Sequence, residues 1–240
     1  MIFRKPVFWI TATLLFIGGL FYSVQVFPKA FAILNVDLKM DREAAFSQSS
    51  TLAENNNWGP DNYNQVASFS HDTRTQNFVE LDAGGVEKVS SLMQDGLYHF
   101  YTWTVRHYRE HEPNETRISF TPAGDFYGFK ETIAEIEKGA ALSAGEARVI
   151  AENFVQNETS IQLSEFEAIE TSGEVMPSER IDHTFVYQRT KEQIGDGFFR
   201  LRLVVSGNKV TELKHFIKVP ETFSRRFEEM RSANNTLATS

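Results

Sequence analysis

The run of side chains with the most obvious chemistry is His107-Tyr108-Arg109-Glu110-His111. It matches the His-x-x-Glu-His pattern of one zinc-peptidase class, where a helix presents two imidazoles to the metal and the glutamate acts as base. The surroundings argue for another reading. The run ends an alternating segment, His99–Arg109, and enters the turn Glu112-Pro113-Asn114. On a strand, positions 107 and 111 lie on one side about 13 Å apart, too far to share one ion. His107, Glu110 and His111 are therefore read as a decoy, and no metal ligand or cofactor is assigned to this chain. A zinc hydrolase built on them is the weakest of three functional readings.

Nucleophilic catalysis has little to work with. The chain has no Cys, which removes thiolate nucleophiles, disulfides and Cys-based metal sites. No Gly-x-Ser-x-Gly elbow is present. Asp182 and His183 are neighbours on a predicted strand, so they face opposite ways. Gly84-Gly85 lacks the lysine and spacing of a phosphate loop and reads as a helix-start turn. Aromatic residues are the better material for a site, at 13% of the chain. Tyr101, Trp103, Tyr108 and Tyr127 are the candidate peptide-binding residues, able to line a groove or an edge where an extended peptide adds as a strand.

Charge separates the chain into two parts. Residues 1–29 hold Arg4, Lys5 and Lys29 and no acid, so a net charge of −8 leaves −11 on the remainder. An acidic body of this kind is a poor partner for nucleic acid. Residues 7–27 contain no charge. As a helix they would span about 30 Å, the thickness of a bilayer core. Arg4 and Lys5 precede the run, which predicts a cytoplasmic N-terminus and an exported body. The rival is a cleaved signal peptide ending at Ala30-Phe31-Ala32; the apolar run is longer than a signal core, so an uncleaved anchor in contact with the lipid bilayer is preferred.

The body repeats one plan, a capped helix followed by strands. The first helix is predicted from Asp41 to Asn56, the second from Ser143 to Gln156, where Ser143 and Glu146 form a capping box. Aligning the caps pairs Ala45 with Ala147, Ser49 with Ala151 and Leu52 with Phe154. Residues 33–40 read as a short strand or linker. In the first half, strands are expected at Val66–Ser70, Asn77–Leu81, His99–Arg109, Arg117–Thr121 and Phe126–Phe129, with a helix at Val86–Gln94. In the second half they are expected at Glu165–Thr171, Asp182–Arg189, Gly197–Val205 and Lys209–Val219, the last pair joined by a turn at Gly207-Asn208. A charged helix, Glu221–Asn234, follows Pro220. The fold class is α+β, with antiparallel sheets and an internal duplication. The expected units are an anchor at 1–28, a linker at 29–40, two helix-plus-sheet units at 41–135 and 136–219, and a charged helix at 220–240.

The helix openings LKMDREAAFSQSSTLAENN and ALSAGEARVIAENFVQ, each followed by a strand meander, resemble PepSY-type units. The stretches WGPDNYNQVASFS, RIDHTFVYQR and FRLRLVVSGNKVTELKHFIKVPETFSRRFEEMRSANN resemble the extracytoplasmic N-terminal region of large bacterial CPBP (CAAX protease/Abi type) intramembrane metalloproteases. That likeness spans roughly residues 30–235. It implies an inner-membrane location and a non-catalytic regulatory or peptide-binding module. In that family the zinc chemistry lies in later membrane helices, with Glu-Glu-x-x-x-Arg, Phe-x-x-x-His and His-x-x-x-Asn/Asp motifs. None is recognisable here: Glu228-Glu229 has Arg231 two positions on, not four. On this reading the chain is a fragment whose peptidase part lies elsewhere. The alternative is a stand-alone single-pass envelope binding protein.

Overall fold

The computed structural model describes residues 5–30 and 36–239. Helix α1 (Pro6–Ala30) has an uncharged stretch, Pro6–Phe27, of 22 residues, long and apolar enough to cross a membrane. Leu15, Phe16, Phe21 and Tyr22 on it are exposed rather than packed on the body. The chain meets the body at Lys39 and Met40, whose N–H groups both donate to Pro122 O at 3.1 and 3.0 Å. Residues 36–41 have no regular structure, and residues 33–35 of the predicted strand or linker lie outside the described residues.

Helix α2 (Arg42–Asn56) starts where Asp41 accepts the Ala44 N–H at 2.8 Å. It stops where Asn57 turns left-handed, φ 52°. Its buried stripe is Ala45, Ser49 and Ala53, small residues one turn apart. Helix α5 (Ala144–Glu158) opens with the Ser143–Glu146 capping box and buries Ala147, Ala151 and Val155. Aligning Asp41 with Ser143 superposes these stripes residue for residue. Both helices use small side chains to lie close against the sheet, α2 on the first half and α5 on the second.

The strands are β1 (Asn64–His71), β2 (Tyr101–Tyr108), β3 (Glu115–Phe120), β4 (Phe126–Thr132), β5 (Phe166–Val175), β6 (Ile181–Ile194), β7 (Gly197–Ser206) and β8 (Lys209–Lys218). They form one sheet in the order β1-β2-β3-β4-β8-β7-β6-β5, antiparallel throughout. The two predicted units thus share a sheet, each giving four strands, and meet where Phe129 faces Leu213 and Lys130 faces Glu212. One row of side chains crosses that seam in register: Val105, Ile118, Phe129, Leu213, Leu203 and Phe185. All six are buried. It is this row that makes the two halves one core.

One element differs in kind from expectation. Asn77–Leu81 is not a strand but part of helix α3 (Thr73–Asp82). The Asp72 carboxylate accepts the Thr75 N–H at 3.2 Å, and Thr75, Phe78 and Val79 share one buried face at helical spacing. The cap and the i, i+3, i+4 pattern outweigh the strand preference of a short Phe-Val run. Helix α4 (Gly85–Gln94) follows. Helix α6 (Glu221–Thr239) extends past the expected end and docks on α3 through Phe223 against Phe78, centroids 5.2 Å apart. An Arg226–Asp82 ion pair reinforces that contact.

The seam has one steric demand. A Cβ on Gly128 would sit 2.4 Å from Leu213 O, well inside contact distance. Gly128→Ala is expected to cost about 1–3 kcal/mol by overpacking. Gly145, on α5 with nothing within 4 Å of its Cβ position, is the matched control. Gly145→Ala should be neutral or stabilising by roughly 0.5–1 kcal/mol. Urea unfolding of the two variants measures the contrast.

Candidate functional site

The seam also opens a hole in the sheet. Between β3 and β4, Ser119 faces Gly128 but Phe120 faces Phe126, so Tyr127 is the extra residue of a bulge. A bulge re-aims its side chain. The Tyr127 ring stacks on His215 of β8 at 4.4 Å and 18°. It meets His99 edge-on at 5.2 Å and 88°. The His99 backbone N–H donates to the Tyr127 hydroxyl at 3.2 Å. His99 itself is held beside Tyr98, whose hydroxyl donates to Asp72 at 2.7 Å. The three rings come from β4, β8 and the segment just before β2, so both halves contribute.

On the helix-bearing side, these rings wall a cavity of about 750 Å³ that also involves Phe166, Phe199 and the Glu165–Arg189 ion pair. The dominant cause of every pKa shift here is burial. It pushes His215 down to about 3, with a smaller push from His99. It lowers His99, partly opposed by Asp125, and it raises Tyr127 and Tyr98. The cluster is therefore uncharged at neutral pH. The buried Nδ1 of His215 has no hydrogen-bond partner. A ring so hard to protonate is a poor general base near pH 7, where useful catalytic groups are poised. The arrangement can stack on an apolar or aromatic group and exclude water.

A second constellation looks more catalytic. Ser49 Oγ lies 3.0 Å from His107 Nε2, and Gln65 Nε2 lies 3.0 Å from the same nitrogen. The Gln65 amide can only donate there, so His107 Nε2 accepts and the ring proton sits on Nδ1. Ser49 also donates to Phe46 O at 2.9 Å. Ser49 and His107 are both 0% exposed, and Tyr63 stacks on the imidazole at 3.9 Å. No substrate reaches this serine, and no carboxylate orients the ring. It is a polar knot fixing α2 to β1 and β2. Burial lowers His107 to about 4.

The predicted site residues do not share one surface. Tyr101 is buried against His71 at 4.3 Å. Trp103 is half-buried on the same face and donates from Nε1 to Met40 O at 3.1 Å. Tyr108 lies on the opposite face beneath Arg106, 4.4 Å from ring to guanidinium carbon. Only Tyr127 lines the cavity. His107 points into the core, while Glu110 and His111 are exposed in the β2–β3 turn, with His111 at φ 64°. Among the described residues, no group of three or more His, Asp and Glu side chains could hold a metal ion. His215 carried a weak signal in the sequence: it is polar at a position whose strand neighbours on the same face, Leu213 and Ile217, are core residues.

No protein-family model, curated protein or solved structure matches this chain.

Buried neutral histidines make stability depend on pH with a defined sign. Each is protonated near pH 6.5 in the unfolded chain but only near pH 4 (His107) or 3 (His215) when folded. Their contribution is complete above pH 6.5 and is lost as pH falls below it, each by about 1.4 kcal/mol per pH unit. The thermal midpoint should drop between pH 7 and pH 5. His215→Gln should flatten that slope, and an unchanged slope would show that the ring titrates normally.

Proposed function

We propose that this chain is a membrane-anchored, extracytoplasmic binding module, non-catalytic in itself, whose ligand enters the cavity at the junction of its two halves. The observation that carries the reading is the uncharged Tyr127–His99–His215 cluster that walls a cavity of about 750 Å³. Cavities of this size with aromatic walls and a few polar groups suit small ligands and short peptides. The Glu165–Arg189 pair offers both charges to a peptide's termini or side chains.

The likeness to the extracytoplasmic region of CPBP-type intramembrane metalloproteases supplies a context: a sensory or regulatory PepSY-like module positioned in front of a membrane peptidase. Zinc would then belong to the peptidase, not to this chain. The repeated capped helix, with matching buried stripes at Ala45, Ser49, Ala53 and Ala147, Ala151, Val155, is consistent with duplicated units of that kind. A stand-alone envelope binding protein shares the anchor and the cavity, and differs only in having no peptidase partner.

Trp58 stacks on Phe129 at 3.9 Å and on Phe126 at 6.0 Å, and Phe126 lines the cavity. Its emission therefore reports occupancy. Detergent-solubilised full chain titrated with a short-peptide panel should show a saturable change in Trp58 fluorescence. Gln162→Phe, which places bulk at an exposed lining position without adding a fluorophore excited at the same wavelength, should abolish that change and leave the melting curve intact. If no peptide gives saturation, the peptide reading fails. Orientation is tested separately: alkaline phosphatase fused after Ser240 should be active, since that enzyme folds only outside the cytoplasm.

A further inference from the structure

The face of the sheet away from α2 and α5 has a different chemistry. In register across four strands lie Arg106, Arg117, Lys130 and Glu212. The next row on that face holds Thr104 opposite Ser119, and Arg202 opposite Lys214. Like charges directly opposite on neighbouring strands are destabilising, and Arg106, Arg117 and Lys130 form three in a row. The acids among these rows and their immediate neighbours compensate only in part. Glu115 takes Arg106 Nε at 2.6 Å and Arg117 Nε at 2.9 Å. Glu212, only 5% exposed, takes Arg202 at 2.9 and 2.6 Å and lies 4.0 Å from Lys130. Lys214 has no ion-pair partner among the described residues. A surplus of positive charge is thus concentrated in one patch of that face, while Asp182 and Glu174 sit further along it on β6 and β5, in a chain whose net charge is −8.

These cations border a cavity of about 400 Å³ lined by Arg117, Lys130, Arg202 and Lys214 and by the Thr104 and Ser119 hydroxyls, with the carboxylates of Asp72 and Glu212, bonded to Tyr98 and Arg202 respectively, also in its lining. Those hydroxyls lie 3.3 Å apart. We infer that this cavity is a binding site for a small ligand carrying two anionic groups, phosphate or carboxylate. Arg117 and Lys130 on β3 and β4, and Arg202 and Lys214 one row on across β7 and β8, provide two cationic pairs whose backbone positions are about 12 Å apart, offset both along and across the strands. The Thr104 and Ser119 hydroxyls, on β2 and β3 beside Arg117, can donate to the oxygens of such groups, and guanidinium forks match them bidentately. The site opens on the charged face, and His99, Tyr127, Leu213 and His215 line both it and the larger cavity, so that wall is all that divides the two; the cations that define this site line only the smaller one, and the inference rests on them rather than on the peptide reading.

The probes are inorganic pyrophosphate and citrate, titrated calorimetrically into the full chain in neutral detergent. Saturable one-to-one binding is expected, weakening as salt rises. Lys130→Gln with Lys214→Gln should weaken it at least tenfold. Glu115→Gln should have the opposite effect: it frees Arg106 and Arg117 and should tighten binding severalfold, which a merely structural role for Glu115 would not produce. Neither probe binding overturns the proposal. So does tightening absent in Glu115→Gln when its melting curve shows a folded protein. Vesicles of anionic phospholipid form the last arm. Binding to vesicles with none to the soluble probes would assign the charge to membrane head groups and overturn the small-ligand site.

Discussion

Two four-stranded meanders become one sheet only because β4 and β8 can approach, and that approach rests on a short stretch of backbone. Phe129 and Leu213 pair across it, and Gly128 lets the Leu213 carbonyl come where no side chain would fit. The row from Val105 to Phe185 then continues through the join without a break in burial. Losing the join would expose the sides of two half-cores at once. It would also free two strand edges, which invite pairing with other chains. The join is short for the same reason that it is useful: the bulge that places Tyr127 diverts β4 from β8 just beyond Phe129, and the aromatic cluster occupies the resulting gap.

How much of this was legible in the sequence depends on range. The capping signals at Asp41 and Ser143 are local, and so are the small residues spaced one turn apart behind them. They disclosed the repeated plan directly. The alternation of Tyr101, Trp103 and Val105 with Thr102, Thr104 and Arg106 also appears as read, on two faces of β2. The turn at Gly207-Asn208 lies where the hairpin closes. Asn77–Leu81 was misread because five residues are too few to separate a strand from a helical face, and the deciding cap at Asp72 lies outside them. The site was illegible for a different reason. His99, Tyr127 and His215 are distant in sequence, and a one-residue bulge is what brings them together. Tyr108 failed as a partner of Tyr101 and Trp103 by parity alone, since it sits an odd number of residues from both.

The two faces of the sheet divide the chemistry. The helix-bearing face buries neutral rings, and His107 and His215 on it are kept uncharged by desolvation. The other face gathers arginines and lysines around two glutamates. Because each strand alternates, a single residue step separates Phe129 in the core from Lys130 on the charged surface. A slip of one residue at the β4–β8 pairing would exchange the two environments, placing charges in the core. Register at the join is thus enforced by the cost of burying Lys130 and Glu212 on the wrong side.

The attachment of the anchor has a mechanical consequence. Lys39 and Met40 are bonded to Pro122, and Trp103 is bonded to Met40, so the chain leading from α1 is fastened at the β3–β4 turn. That turn carries Asp125 and leads directly into the bulge at Tyr127. A pull on the chain from α1 would therefore load the bulged part of the sheet, next to the short β4–β8 pairing. Tension along the chain from α1 would thus be felt first where β4 pairs with β8 over two residue pairs, beside the aromatic cluster.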